Sequence, residues 1–139
     1  MAALHLEFVS PERVLFSGDV DQVDLPGTEG DMGILGGHAP LVTTLRPGIV
    51  TIYREGKLEP VVVVGGFAEV GPSGLTVLAD WAVPRENFDL AVLSTQIKDA
   101  EEDVADATDE PQRDKLVRRL EQLKSLQAAL GASALGTAH

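Results

Sequence analysis

Hydrophobic and polar positions alternate in short runs over the first eighty residues. Leu4, Leu6 and Phe8 alternate with His5 and Glu7, the period of a half-buried strand. Val14-Leu15-Phe16 ends at Ser17-Gly18, and Asp21, Val23 and Leu25 alternate with Gln22 and Asp24 before Pro26-Gly27. Leu41–Leu45 stops at Pro47-Gly48, Ile49–Tyr53 at Glu55-Gly56, and Leu58–Val64 at Gly65-Gly66. Phe67–Val70 stops at Gly71-Pro72, and Leu75–Ala79 closes the series. Short apolar runs punctuated this regularly by Gly and Pro predict a sandwich or barrel.

After Asn87 the period becomes helical. Leu90, Leu93, Ile97, Ala100 and Val104 share one face, with Asp99, Glu102, Asp103 and Asp106 opposite. Asn87 or Asp89 can cap the start, and Thr108-Asp109-Glu110-Pro111 ends this helix and opens the next with Pro in its first turn. Leu116, Leu120, Leu123 and Leu130, flanked by Leu126, form the apolar stripe of a second helix, which Gly131 is expected to stop. The tail Ala132–His139 is expected to fray. Two amphipathic helices with so short a link predict an antiparallel hairpin. The fold class is mainly β with an α appendage: a β domain over residues 1–86 and a helical hairpin over 87–139.

Composition narrows the function. The net charge is −11, which disfavours direct contact with nucleic acid or an anionic membrane surface, since both need clustered cations. No run approaches the roughly 18 apolar residues of a membrane span, so no direct membrane insertion is expected. Met1-Ala2-Ala3-Leu4-His5 lacks the basic and apolar pattern of an export signal. There is no Cys, hence no disulfide framework and no thiolate site. Charge is segregated in the helical part. Asp99–Glu110 is acidic, whereas Arg113, Lys115, Arg118, Arg119 and Lys124 follow closely on the second helix.

No catalytic constellation emerges. Gly27–Gly37 is glycine-rich but lacks the Gly-Lys-Ser/Thr ending of a phosphate loop, and no helix follows it; a tight surface loop fits better. His5, His38 and His139 lack metal-ligand spacing, and His38 before Ala39-Pro40 reads as a turn residue bonding its own backbone. Ser73 sits in a Gly-Pro-Ser-Gly turn, not a nucleophile elbow. No catalytic, metal or cofactor site is expected. A carbohydrate-type sandwich would need exposed aromatic platforms, and aromatics are only 4%. A ligand-binding β-sandwich with a helical interaction arm is the alternative function.

Seven segments carry a family resemblance: Val9-Ser10-Pro11-Glu12, Leu15–Gly18, Pro26–Leu35, His38–Leu41, Leu45–Gly48, Gly65–Val70 and Thr76–Asp80. In this order they resemble the epsilon subunit of bacterial F-type ATP synthase, a ten-stranded sandwich followed by two helices. The resemblance implies a non-catalytic rotor subunit at the cytoplasmic face of the inner membrane, its sandwich contacting the gamma subunit and the c-ring. It places Gly30 and Asp31 at the c-ring loop, and Ser10, His38 and Thr43 on or near the gamma-facing side. In some members the hairpin inhibits ATP hydrolysis through basic residues that meet the beta subunit; here the candidates are Arg113, Lys115, Arg118, Arg119 and Lys124. Ion pairing within the hairpin, as in Asp114–Arg118 and Glu121–Lys124 or across to the first helix, is the competing role for these cations. Some members clamp ATP with an acidic residue followed three and four positions later by Arg-Ala. This chain keeps Asp89 but has Val92 and Leu93 there, and an apolar side chain cannot pair a phosphate.

Overall fold

A computed structural model describes residues 3–136. The chain divides after Asn87 into two compact units. The first holds strands β1 (Leu4–Val9), β2 (Val14–Val20), β3 (Gln22–Gly27), β4 (Gly30–Leu35) and β5 (Leu41–Thr44). It continues with β6 (Gly48–Arg54), β7 (Lys57–Val63), β8 (Gly66–Gly71), β9 (Gly74–Ala79) and β10 (Ala82–Pro84), then a single 3-10 turn at Arg85–Asn87. The strands form two five-stranded sheets, ordered β2-β1-β9-β8-β5 and β10-β7-β6-β3-β4. Neighbours are antiparallel apart from β1 and β9, which run parallel with Leu6 opposite Leu75.

The alternation read from the sequence decides which side chains meet between the sheets. Leu6, Phe8 and Val77 from the first sheet and Val23, Ile34 and Val50 from the second are wholly removed from solvent within one core. Full burial of such side chains is worth about 1.5–3 kcal/mol each. Their odd-numbered neighbours on β1, His5 and Glu7, point outward.

Several expected boundaries move. The glycine-rich stretch is not merely a loop: Gly30–Leu35 is β4, paired along its length with β3 from Gly27↔Gly30 to Gln22↔Leu35. Met32 and Ile34 turn inward there, and the intervening glycines conceal that alternation in the sequence. The strand beginning at Val14 runs through Ser17-Gly18 to Val20, because after a bulge at Leu15 every residue from Phe16 to that point has a partner on β1. Ala82–Pro84 adds a tenth strand on the edge of β7, a place where proline is tolerated.

The second unit consists of helices α1 (Leu90–Asp106) and α2 (Glu110–Gly136), which pack on one another. Of the two candidate caps, Asp89 is the one used: its Oδ1 accepts the amides of Ala91 at 2.8 Å and Val92 at 3.4 Å. Leu93, Ile97 and Ala100 form the buried face of α1; Leu123, Leu126 and Leu130 are the buried positions of α2. Gly131 does not stop α2, which continues to Gly136. Its cost of about 1 kcal/mol relative to Ala does not break a helix that is otherwise rich in Ala and Leu. Of the tail expected to fray, Ala132–His139, the last three residues, Thr137–His139, lie outside the described residues.

Candidate interaction site

The β3–β4 hairpin carries Gly30 and Asp31 at one end of the sandwich. Its turn is tight: a Cβ on Gly27 would stand 2.8 Å from the Gly30 carbonyl oxygen and 3.4 Å from Thr43 Oγ1. Gly30 adopts φ +135°, a conformation L side chains rarely take. The tip is tied to the other sheet. The Thr28 amide donates to the Thr44 carbonyl at 3.0 Å, the two threonine hydroxyls meet at 2.8 Å, and Gly27 bridges Leu45. Arg46, in the link between β5 and β6, completes the tie. Its amide donates to the Pro26 carbonyl, one guanidinium nitrogen to the Gly27 carbonyl and another to Asp31 Oδ1. The Asp31 side chain is 79% exposed, so its pairing leaves one side of the carboxylate to solvent.

Thr43 sits beside this tip, half-buried, its hydroxyl donating to the Thr44 carbonyl. The structure therefore brings Gly30, Asp31 and Thr43 together and adds Arg46, which the sequence reading gave no role. The only signal was a cation between the hydrophobic end of a strand and Pro47.

Ser10 lies in the β1–β2 turn, where its amide and hydroxyl both donate to the Arg13 carbonyl. The parallel register of β1 on β9 places this turn at the same end of the sandwich as the β3–β4 tip. His38 lies at the opposite end, in the link between β4 and β5. Its Nδ1 is 2.7 Å from the Ala39 carbonyl oxygen, and it lines a hollow with His5, Asp19 and the Gly71–Gly74 turn. Ser10 and Thr43 thus belong to the first sheet or its turns, while His38 lies in the link that crosses from the second sheet to the first.

The outward face of that sheet is banded. Register places Val14 against Val9, Val9 against Leu78, and Leu78 against Phe67, an apolar row crossing four strands. Val14 is 62% exposed, Phe67 42%, and nearby Val42 on β5 64%. Beside this row lies a polar cluster. His5 Nε2 is 2.8 Å from Glu7 and its Nδ1 3.1 Å from Asp19, while Ser17 donates to the same Glu7 oxygen at 2.6 Å. The bonds from Glu7 and Asp19 raise the His5 pKa, and the bonds from Ser17 and His5 lower that of Glu7.

Along α2, Lys124 reaches Glu101 of α1 at 4.0 Å. The intrahelical pairs expected for Asp114–Arg118 and Glu121–Lys124 are not among the ion pairs of the described residues. Arg113, Lys115, Arg118 and Arg119 are exposed. At the start of α1 the Asp89 carboxylate is taken up by capping, Val92 is half-exposed and Leu93 is buried.

Two open five-stranded sheets tied together at the β3–β4 tip, followed by a helical pair, define a β-sandwich with a helical appendage. Residues 3–85 match the family described as the β-sandwich domain of the ATP synthase delta/epsilon chain. The chain belongs to the ATP synthase epsilon chain family. It is 50% identical over 125 residues to the ATP synthase epsilon chain of Parvibaculum lavamentivorans, covering 89% of this chain and 95% of that one. It is 47% identical over 135 residues to ATP synthase epsilon chain 1 of Nitrobacter hamburgensis, covering 97% and 99%. Among solved structures it is similar to a chain in the OSCP/F1/c-ring assembly of the Euglena gracilis mitochondrial ATP synthase, with a TM-score of 0.79 and 31% identity over 94% of this chain and 82% of that one. Among the described residues no helix is long and apolar enough to cross a membrane.

Proposed function

We propose that the chain is the non-catalytic rotor subunit of an F-type ATP synthase, peripheral on the cytoplasmic face of a bacterial inner membrane. Its sandwich binds the gamma subunit through the outward face of the first sheet and meets the c-ring loops with the β3–β4 tip at Gly30 and Asp31. The α1–α2 hairpin is a separate regulatory arm, with Arg113, Lys115, Arg118, Arg119 and Lys124 as its contacts toward the acidic beta subunit.

The observation that carries this reading is the apolar row Val14–Val9–Leu78–Phe67, with Val42 beside it. Val14, Phe67 and Val42 are exposed on this face with Val9 and Leu78 half-buried between them, and such an apolar patch costs solubility unless a partner covers it. Of the three candidate gamma contacts, Ser10 follows Val9 at the end of the row, whereas Thr43, paired with the buried Ala68, faces the second sheet and His38 lies at the other end of the sandwich. The test is a binding titration of purified gamma with the full-length chain and with Phe67→Asp. An aromatic anchor at the centre of a protein interface is commonly worth at least about 2 kcal/mol, about thirtyfold in Kd. The variant is expected to lose at least that much while melting at an unchanged temperature, because Phe67 faces away from the core. Undiminished gamma binding by Phe67→Asp would move the interface elsewhere.

A further inference from the structure

The β3–β4 tip is held by a residue fifteen positions away from its carboxylate. We infer that Arg46 is the positioning residue of the tip: its guanidinium spans the Gly27 carbonyl and the Asp31 carboxylate, fixing the direction in which Asp31 is presented to its partner. The inference rests on the proposed contact of Asp31 with the c-ring.

The chemistry favours a clamp over an incidental surface pair. Arg46 is anchored twice before its side chain begins, by its amide on the Pro26 carbonyl and by Pro47 next to it in the link to β6. The planar guanidinium then offers two separate N–H groups, one to a backbone oxygen at the turn and one to a side-chain oxygen on the opposite strand. Lysine, a single point donor, cannot hold both in fixed geometry. The Arg46 side chain is 37% exposed against 79% for Asp31, so the cation is the more enclosed member and the carboxylate the one shown to the outside. The threonine pair Thr28–Thr44 ties the same turn from its other side but touches neither Asp31 nor the Gly27 carbonyl. Arg46 alone, among the described hydrogen bonds, joins the turn backbone to the exposed carboxylate. The tip therefore meets its partner as a neutral ion pair on a rigid hairpin, not as a free anion on a mobile loop. A polar partner loop bearing amide or hydroxyl donors fits the unused side of that carboxylate.

Two measurements on the full-length chain test this. The first is amide hydrogen exchange at Gly30 and Asp31 in the wild type, Arg46→Ala, Arg46→Lys and Asp31→Asn. Arg46→Ala is expected to speed tip exchange about fivefold relative to the core amides, the scale of one well-placed exposed pair, with Arg46→Lys between it and the wild type. Unchanged tip exchange in Arg46→Ala would overturn the clamp. The second measurement is the number of protons pumped per ATP hydrolysed in ATP synthase reconstituted with each variant. Arg46→Ala and Asp31→Asn are both expected to lower it, with Arg46→Lys retaining part of the wild-type ratio. If Asp31→Asn lowers coupling while Arg46→Ala loosens the tip without lowering coupling, the positioning role is wrong and the c-ring contact stands. If neither lowers it although the tip is loosened, the c-ring contact of Asp31 is wrong, and the clamp survives only as a structural tie.

Discussion

His5 shows how one exposed side chain can carry a measurable signature. Both its ring nitrogens face acceptors on neighbouring positions of the first sheet, Glu7 on its own strand and Asp19 on β2. Hydrogen bonding to those carboxylates raises its pKa above 6.5 in the folded chain, so its contribution to stability is fully present below 6.5 and is lost as pH rises through the folded-state value. Glu7 works in the opposite sense: its pKa falls below 4.5, and its contribution is lost as pH drops through the folded-state value. The cluster is therefore strongest between those two values. Melting temperature followed against pH for the wild type and His5→Gln is expected to show the largest difference in that window and convergence at higher pH. A difference that does not change with pH would show that His5 matters only as a strand residue. Neither this cluster nor the Arg46 clamp was legible in the sequence. Each joins residues from different elements, and only strand register tells which outward side chains become neighbours.

At the scale of elements, the strands with clean alternation, such as Leu4–Val9 and Leu75–Ala79, were legible because inward and outward positions differ in polarity. β4 was not, since Gly30 and Gly33 hold positions where a side chain would have marked the period. A Cβ at Gly33 would lie 3.1 Å from Asp24 Oδ1 and 3.2 Å from Gln22 Nε2. That carboxylate accepts from both Gln22 and the Tyr53 hydroxyl, so space on β4 is given up to a polar network on the next strand. The start of α1 was legible to within two candidate caps, and the structure uses Asp89. That choice bears on nucleotide binding. The carboxylate is occupied by two helix amides, Val92 stands where the resemblance would place the clamp's Arg, and Leu93, at the motif's Ala position, is buried. Calorimetry of the isolated chain with millimolar ATP and magnesium is expected to give no saturable heat. A dissociation constant in the micromolar range would mean that other groups form a site.

For the molecule as a whole, the sandwich core is drawn entirely from residues before Asn87, while the hairpin buries Leu93, Ile97, Leu126 and Leu130 of its own, so the sandwich carries the means of its own stability. The proposed gamma face and c-ring tip lie on the same unit, whereas the exposed cations of α2 lie on the other. On the proposed reading the sandwich assembles and couples, and the hairpin regulates. The family was readable because several of its motifs, Ser10–Glu12, Gly27–Gly30, His38–Pro40 and Leu45–Pro47, fall on turns and links of the sandwich, where glycine, proline and short polar residues are dictated by backbone geometry. The hairpin was readable as architecture only, since amphipathic periodicity specifies a helical pair without specifying what its charges meet. The most direct test is proton-driven ATP synthesis by a synthase lacking its epsilon chain and reconstituted with this chain truncated after Asn87. The expected result is retained gamma binding and synthesis close to that with the full-length chain, with any change confined to ATP hydrolysis. Failure of the truncated sandwich to bind gamma or to restore coupled synthesis, while the full-length chain does both, would contradict the account.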